Sequence, residues 1–328
     1  LALARISVIL LFAIVFTREF AIGQSSISKD METNPPNWRT PTLGGMQFWT
    51  DHRWWFGWRI QNNALTGHWR LLDANNVRQA WGTREHCLQV LDNLIRSDQA
   101  RPPFALGRVV LLMHGLMRTS RSMGAIARAL EDADLGTPVS AEYASTRASI
   151  AVHSQAFREL VENLPDKPRL TVVGHSMGNI VVRHAIAQWQ RSGDPMGVLR
   201  RFDGMVMLGP PNQGASIARR LAKTGLFEII TGQGGMELGK SWSAFQEDLA
   251  IPPFPFAIVS GRLTGPLSYN PLIDGEGDFV VTVDETQLDG AAATVEFPVL
   301  HSFLMDDPQV QRFTVDFLKS PLPKTSPL

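Results

Sequence analysis

The sequence predicts an α/β fold: a mostly parallel central sheet with helices on both faces, preceded by a tryptophan-rich N-terminal extension. Three observations carry this. Short runs of consecutive apolar residues, such as Arg108-Val-Val-Leu-Leu-Met113, Leu170-Thr-Val-Val173 and Gly204-Met-Val-Met-Leu208, recur between residues 107 and 318. Strands of that kind are buried on both faces, as in parallel sheets, whereas half-exposed strands alternate. Helical stretches separate the runs, which is the pattern of βαβ units. Finally, 328 residues with 44% hydrophobic content are ample for one large core or two small ones.

Taken in order, the chain starts with a segment that has the outline of a signal peptide. Arg5 gives a positive start, Ile6 to Phe16 is an eleven-residue apolar run, and Ala21 and Gly23 supply the small residues of a cleavage site before Gln24. The run falls short of the ~20 residues of a comfortable membrane span. Residues 1–23 are therefore expected to be removed and the protein to be secreted or periplasmic. The alternative is an uncleaved membrane anchor, because Arg18 and Glu19 lie between the apolar run and the cleavage site. The extension, residues 24–105, holds seven of the nine tryptophans (Trp38, Trp49, Trp54, Trp55, Trp58, Trp69 and Trp81). Trp58–Gln61 and His68–Leu72 read as strands around Asn62-Asn-Ala-Leu-Thr-Gly67, a hairpin signal. The clustered aromatics fit either a sugar or lipid platform or a packed hydrophobic flap. Thr83 is placed to cap a helix running to about Arg96, and Arg101-Pro-Pro-Phe104 then breaks the chain.

The main domain is expected over residues 106–319. Its strands are predicted at Arg108–Met113, Val139–Tyr143, Leu170–Val173, Gly204–Leu208, Phe256–Val259 and Thr294–Phe297. Its helices are predicted at Met123–Ala133, Ile150–Leu164, Met177–Gln190 and Val310–Leu318. The glycine-punctuated apolar stretch Leu221 to Leu249 reads equally as a lid or as core helices. Residues 320–328, rich in proline, are expected to form a loose tail.

Composition excludes several classes of function. With 31 basic and 31 acidic residues and a pI near 7.3, the chain lacks the charge footprint of a nucleic-acid binder. The single cysteine, Cys87, can form neither an intrachain disulfide nor a cysteine-based metal site, and reads as a small buried apolar residue. No HExxH pair and no glycine-rich phosphate loop appears, so neither a metal nor a cofactor is expected.

The sharpest signal is Gly174-His175-Ser176-Met177-Gly178, set between the apolar run Leu170–Val173 and a helical run that begins at Asn179. A G-x-S-x-G pentapeptide between strand and helix is a nucleophile elbow. The turn forces its serine into a strained conformation, and side chains at the flanking glycines would strike the neighbouring strand and helix. Together with Val109-Val-Leu-Leu-Met-His-Gly-Leu116, Leu208-Gly-Pro-Pro-Asn-Gln-Gly-Ala215 and Gly277-Asp-Phe-Val-Val281, the elbow resembles the α/β-hydrolase superfamily, in particular bacterial lipases and esterases. The resemblance covers about residues 107 to 318. It departs at Asn179, where many relatives carry a further glycine, and it does not reach the N-terminal extension.

The resemblance implies a fold and a site. A serine hydroxyl needs a general base, and the base an orienting carboxylate. In the superfamily the acid and then the histidine follow the serine in the chain. Two histidines follow Ser176: His184, two turns down its own helix, and His301 after the last strand. That leaves His301 as the base. Asp278, before Phe279-Val-Val281 where the family places its acid, is the carboxylate, with Asp274 as runner-up. Asp274 to Glu285 also has the length of a calcium loop, but Phe279 stands where such a loop needs glycine. The backbone N–H groups of Leu116 and Met177 are the expected oxyanion hole. His114 and His175 read as structural. The implied activity is an exported serine ester hydrolase without cofactor. Its partner would be a lipid or another acyl ester, met at a transient lipid interface. Acyl transfer or amide cleavage on the same triad is the alternative, as is a catalytically silent binding module that uses the tryptophans as its contact face.

Overall fold

The computed structural model describes residues 37, 39–42, 47–216, 242–264 and 275–320. Residues 1–23, expected as a signal peptide, together with Trp38, Asp274, residues 221–241 of the lid candidate and residues 321–328, lie outside them.

The N-terminal extension forms a four-stranded antiparallel sheet in chain order, β1 (Trp49–Trp55), β2 (Trp58–Asn63), β3 (Trp69–Leu72) and β4 (Arg78–Gly82). The hairpin of β2 and β3 is where the sequence predicts it. Asn63 Oδ1 accepts from the N–H groups of Leu65 and Thr66, which turns the chain, and Gly67 takes φ 70°. Helix α1 (Arg84–Arg96) follows, its N-terminus capped by the Thr83 hydroxyl on the His86 N–H at 3.2 Å. Cys87 and Leu91 of α1 close a small core with Ile60, Leu71 and Ala80. Burial pushes the Cys87 thiol up to about 12, so it behaves as an apolar residue. No tryptophan among the described residues is exposed. Trp54 enters the main core, Trp55 donates to the Ala100 carbonyl at 2.9 Å, and Arg70 lies 3.8 Å over the Trp49 ring. The aromatics are thus a packed flap rather than an open platform.

The second sheet is six-stranded and parallel throughout, in the order β10-β9-β8-β7-β5-β6. Its strands are β5 (Arg108–Met113), β6 (Thr137–Ala141), β7 (Arg169–His175), β8 (Phe202–Leu208), β9 (Phe256–Gly261) and β10 (Ala293–Phe297). Both faces are covered. Val109, Leu111 and Met113 point into one core, against α3 (Ile150–Glu162) and α4 (Met177–Arg191). Val110 and Leu112 point into the other, against α2 (Gly124–Asp132) and a C-terminal helix, Pro308–Lys319. Double burial is why these strands read as unbroken apolar runs. Strands β7 and β9 each run two residues further than expected, to His175 and Gly261, whereas β6 ends at Ala141 rather than Tyr143. Glu142 leaves the sheet because its backbone pairs with β1 instead. The Asp51 N–H donates to the Glu142 carbonyl at 2.8 Å, and the Glu142 N–H donates to Asp51 Oδ2 at 2.8 Å.

The chain runs from β5 outward to β6, then crosses back to β7 on the other side of β5. In open parallel sheets a crevice opens at such a reversal, at the carboxyl ends of the strands. The loops after β5 and β7 meet there.

Candidate active site

Strand β7 ends in the elbow. Ser176 has φ 51° and ψ −126°, a conformation that residues other than glycine rarely adopt. Its N–H donates to the Leu208 carbonyl at the end of β8, 2.8 Å away. A Cβ on Gly178 would lie 2.5 Å from the Met113 carbonyl oxygen, so α4 can start this close to β5 only without a side chain there. Gly174 has the side chain of Asn179 in the place its own Cβ would take. Asn179, the departure from the family pattern, fills that space and donates to the Ser176 carbonyl at 3.1 Å.

His301 begins a short turn after β10, and its Nδ1 lies 2.6 Å from Asp278 Oδ2. Asp278 is fully buried. Its other oxygen accepts from the N–H groups of Val280 and Val281 at 3.0 and 2.8 Å, which holds the carboxylate aimed at the imidazole. The His301 N–H donates to the Asp278 carbonyl at 3.0 Å, tying the two loops through the main chain as well. Two glycines make room for this pair, and sequence reading alone did not single them out. A Cβ on Gly209, at φ 53° after β8, would sit 2.9 Å from His301 Nδ1. A Cβ on Gly261, at the end of β9, would overlap that of Asp278. Their signal was present: each is a glycine at the carboxyl end of an apolar run.

Ser176 Oγ makes no hydrogen bond among the described residues. The elbow reaches His301 through His175, whose Nε2 lies 2.9 Å from the His301 carbonyl and whose ring lies 4.8 Å from the His301 ring. Burial, then the neighbouring His301, holds the His175 ring well below the usual histidine range, so it stays neutral and donates to that carbonyl. His114 is also buried, pushed down to about 4 mainly by burial, and stacks on Tyr143 at 4.2 Å. His184 is occupied elsewhere, 2.6 Å from Ser154 Oγ. Glu285 of the calcium reading caps a one-turn helix, Val283–Thr286, in a reciprocal box with Thr282. Among the described residues no three metal-ligating side chains form a group, and no helix is long and apolar enough to cross a membrane.

The loop after β5 lies against the elbow serine: a Cβ on Gly115 would be 3.0 Å from the Ser176 Cβ. Among the described residues neither the Leu116 N–H nor the Met177 N–H has a hydrogen-bond partner. The Met177 N–H opens α4, where the helix dipole adds partial positive charge.

No protein-family model and no curated protein matches the sequence. Solved structures do match. The mature lipase BlEst2 of Bacillus licheniformis superposes with a TM-score of 0.51 at 16% identity, over 66% of this chain and 94% of that one. Phospholipase PlaB of Legionella pneumophila gives 0.52 at 16% identity, over 67% of this chain and 61% of that one. This chain therefore matches less than two thirds of the phospholipase. With its parallel sheet, its reversal at β5 and its strained serine between β7 and α4, the chain has the α/β-hydrolase fold, which it shares with these two solved structures.

Proposed function

We propose that the protein is an exported serine hydrolase of carboxylic esters, with Ser176 as nucleophile, His301 as general base and Asp278 as its orienting acid. The observation that carries the reading is the buried Asp278–His301 pair at 2.6 Å, set beside a serine held at φ 51°. Ser176 Oγ attacks the ester carbonyl while His301 Nε2 takes its proton. Asp278 holds the proton on Nδ1, which leaves Nε2 free to accept, and stabilises the imidazolium that forms. The Leu116 and Met177 N–H groups receive the developing oxyanion. His301 then returns the proton to the leaving alcohol, and water releases the acyl group by the same route.

A lipid or another long acyl ester is the proposed substrate class, met at a transient lipid interface. Exposed apolar side chains adjoin the site residues in sequence: Met117 (46%) follows Leu116, while Leu300 (40%) and Phe303 (56%) flank His301. The match to a lipase and a phospholipase agrees with this reading. Export rests on residues 1–23, and an intact-mass measurement of protein from the culture medium or periplasm, with Gln24 as the expected first residue, tests it. The catalytic assignment is tested by labelling with a fluorophosphonate, which reports an activated serine without the natural substrate. Ser176→Ala is expected to abolish both labelling and ester hydrolysis while the fold persists. Persistent labelling on another serine would overturn it.

A further inference from the structure

The oxyanion loop is held from outside the catalytic half of the chain. Gly115 to Arg118 form a turn, closed by the Arg118 N–H on the Gly115 carbonyl at 3.2 Å, with Met117 at φ 58°. A non-glycine residue in that region needs support from its surroundings. Two side chains give it. Ser145 Oγ, fully buried, accepts from the Met117 N–H at 3.0 Å and donates to Gln47 Oε1 at 3.1 Å. The Gln47 amide nitrogen donates in turn to the Arg118 carbonyl. The Met117–Arg118 segment is thus gripped on its N–H side and on its C=O side by one continuous chain of hydrogen bonds. Gln47 lies just before β1, and β1 also fixes the segment that carries Ser145. Besides the paired bonds of Asp51 and Glu142, the Ala144 N–H donates to Thr50 Oγ1 at 3.1 Å.

We infer that Gln47 and Ser145 are positioning residues for the oxyanion hole, through which the N-terminal sheet sets the orientation of the Leu116 N–H. The inference rests on the hydrolase reading above. Ser145 takes up the Met117 N–H, and Gln47 anchors the next carbonyl. The Leu116 N–H, beside Ser176, is left without a hydrogen-bond partner among the described residues. Neither Gln47 nor Ser145 touches the reacting atoms.

The test uses Ser145→Ala and Gln47→Glu in the whole chain. Gln47→Glu keeps the shape and the acceptor for Ser145, but sets an oxygen against the Arg118 carbonyl. Removing an oxyanion donor outright costs about a hundredfold to a thousandfold in kcat. A mispositioned one is expected to cost about tenfold to a hundredfold, with KM for a nitrophenyl ester held within about twofold. The affinity of phenylboronic acid, whose adduct on Ser176 places an oxygen in the hole, should weaken by the same factor as kcat. Amide hydrogen exchange at Met117 should accelerate in Ser145→Ala, and melting curves check that both variants fold. If one variant does not fold, the other carries the comparison. Active wild type with folded variants of unchanged kcat would overturn the inference alone, as would unchanged exchange at Met117. Wild type that neither hydrolyses esters nor takes a fluorophosphonate would overturn the hydrolase reading and this inference with it.

Discussion

Glu142 offers a quantitative test of the junction between the two sheets. Its side chain is 3% exposed. Oε2 accepts from the Ser120 N–H at 3.0 Å and from the Ser120 hydroxyl at 2.6 Å, while Oε1 has no hydrogen-bond partner among the described residues. Burial is the main reason its carboxyl is raised from 4.5 to about 7; the nearby Asp51, itself raised by burial, acts in the same direction. Between these values the folded protein keeps a proton that the unfolded chain has lost. The folded state binds more protons, so stability falls as pH rises through that window. At about 1.4 kcal/mol per pH unit, the loss from pH 4.5 to above 7 is on the order of 3 kcal/mol. For a chain of this size that corresponds to roughly 5 °C in melting temperature. Glu142→Gln keeps an acceptor for Ser120 and cannot ionise. It should match wild type near pH 4.5 and melt about 5 °C higher at pH 8. Calorimetry or dichroism melts at half-unit pH intervals read the difference directly. A wild-type-minus-variant difference that stays flat from pH 4.5 to 8 would refute the reasoning.

Three further outcomes are expected. Asp278→Asn should lower kcat by about 10⁴-fold, the scale seen when an orienting aspartate is amidated, while Asp274→Asn should change it far less; equal losses would reverse the choice of acid. Gly209→Ala forces a methyl group against His301 and adds strain at φ 53°, so kcat should drop by about tenfold or more, with a lower melting temperature; an unimpaired variant would mean that the imidazole does not depend on this gap. In a chain-length series of nitrophenyl esters, kcat/KM should rise toward medium and long acyl chains. A peak at acetate or butyrate, with no rise above the solubility limit, would leave a plain esterase.

The features legible in the sequence were those with local causes. Strands β5, β7, β8 and β9 announce themselves because both of their faces are buried, and the elbow because its two glycines are packed against neighbouring atoms, the Asn179 side chain at Gly174 and the β5 backbone at Gly178. Strand β1 was not legible. Its Thr50 and Asp51 are polar yet buried, since they bond to Glu142 and Ala144 far along the chain. For the same reason the end of β6 was misplaced. In the site, Asp278 could be chosen from its place before Phe279-Val-Val281. Ser145 and Gln47 could not, because their roles exist only after residues 98 positions apart have met. Gly209 and Gly261 carried a readable signal, but their purpose depends on which side chains fill the adjoining space.

The pairing of β1 with the segment after β6 also bears on how the chain is assembled. Within the N-terminal sheet every strand pairs with its neighbour in sequence, so that unit closes through short loops and can order early. Its bond from Asp51 to the Glu142 N–H spans 91 residues, a long loop whose closure carries an entropic cost. During synthesis β1 is made well before the segment it will grip, so its outer edge stays unmatched until that segment arrives. Docking of that strand is then a late event, and it is the event that seizes the loop beside Ser176. Catalytic competence should therefore lag behind the recovery of secondary structure during refolding, and reappear together with burial of Trp54.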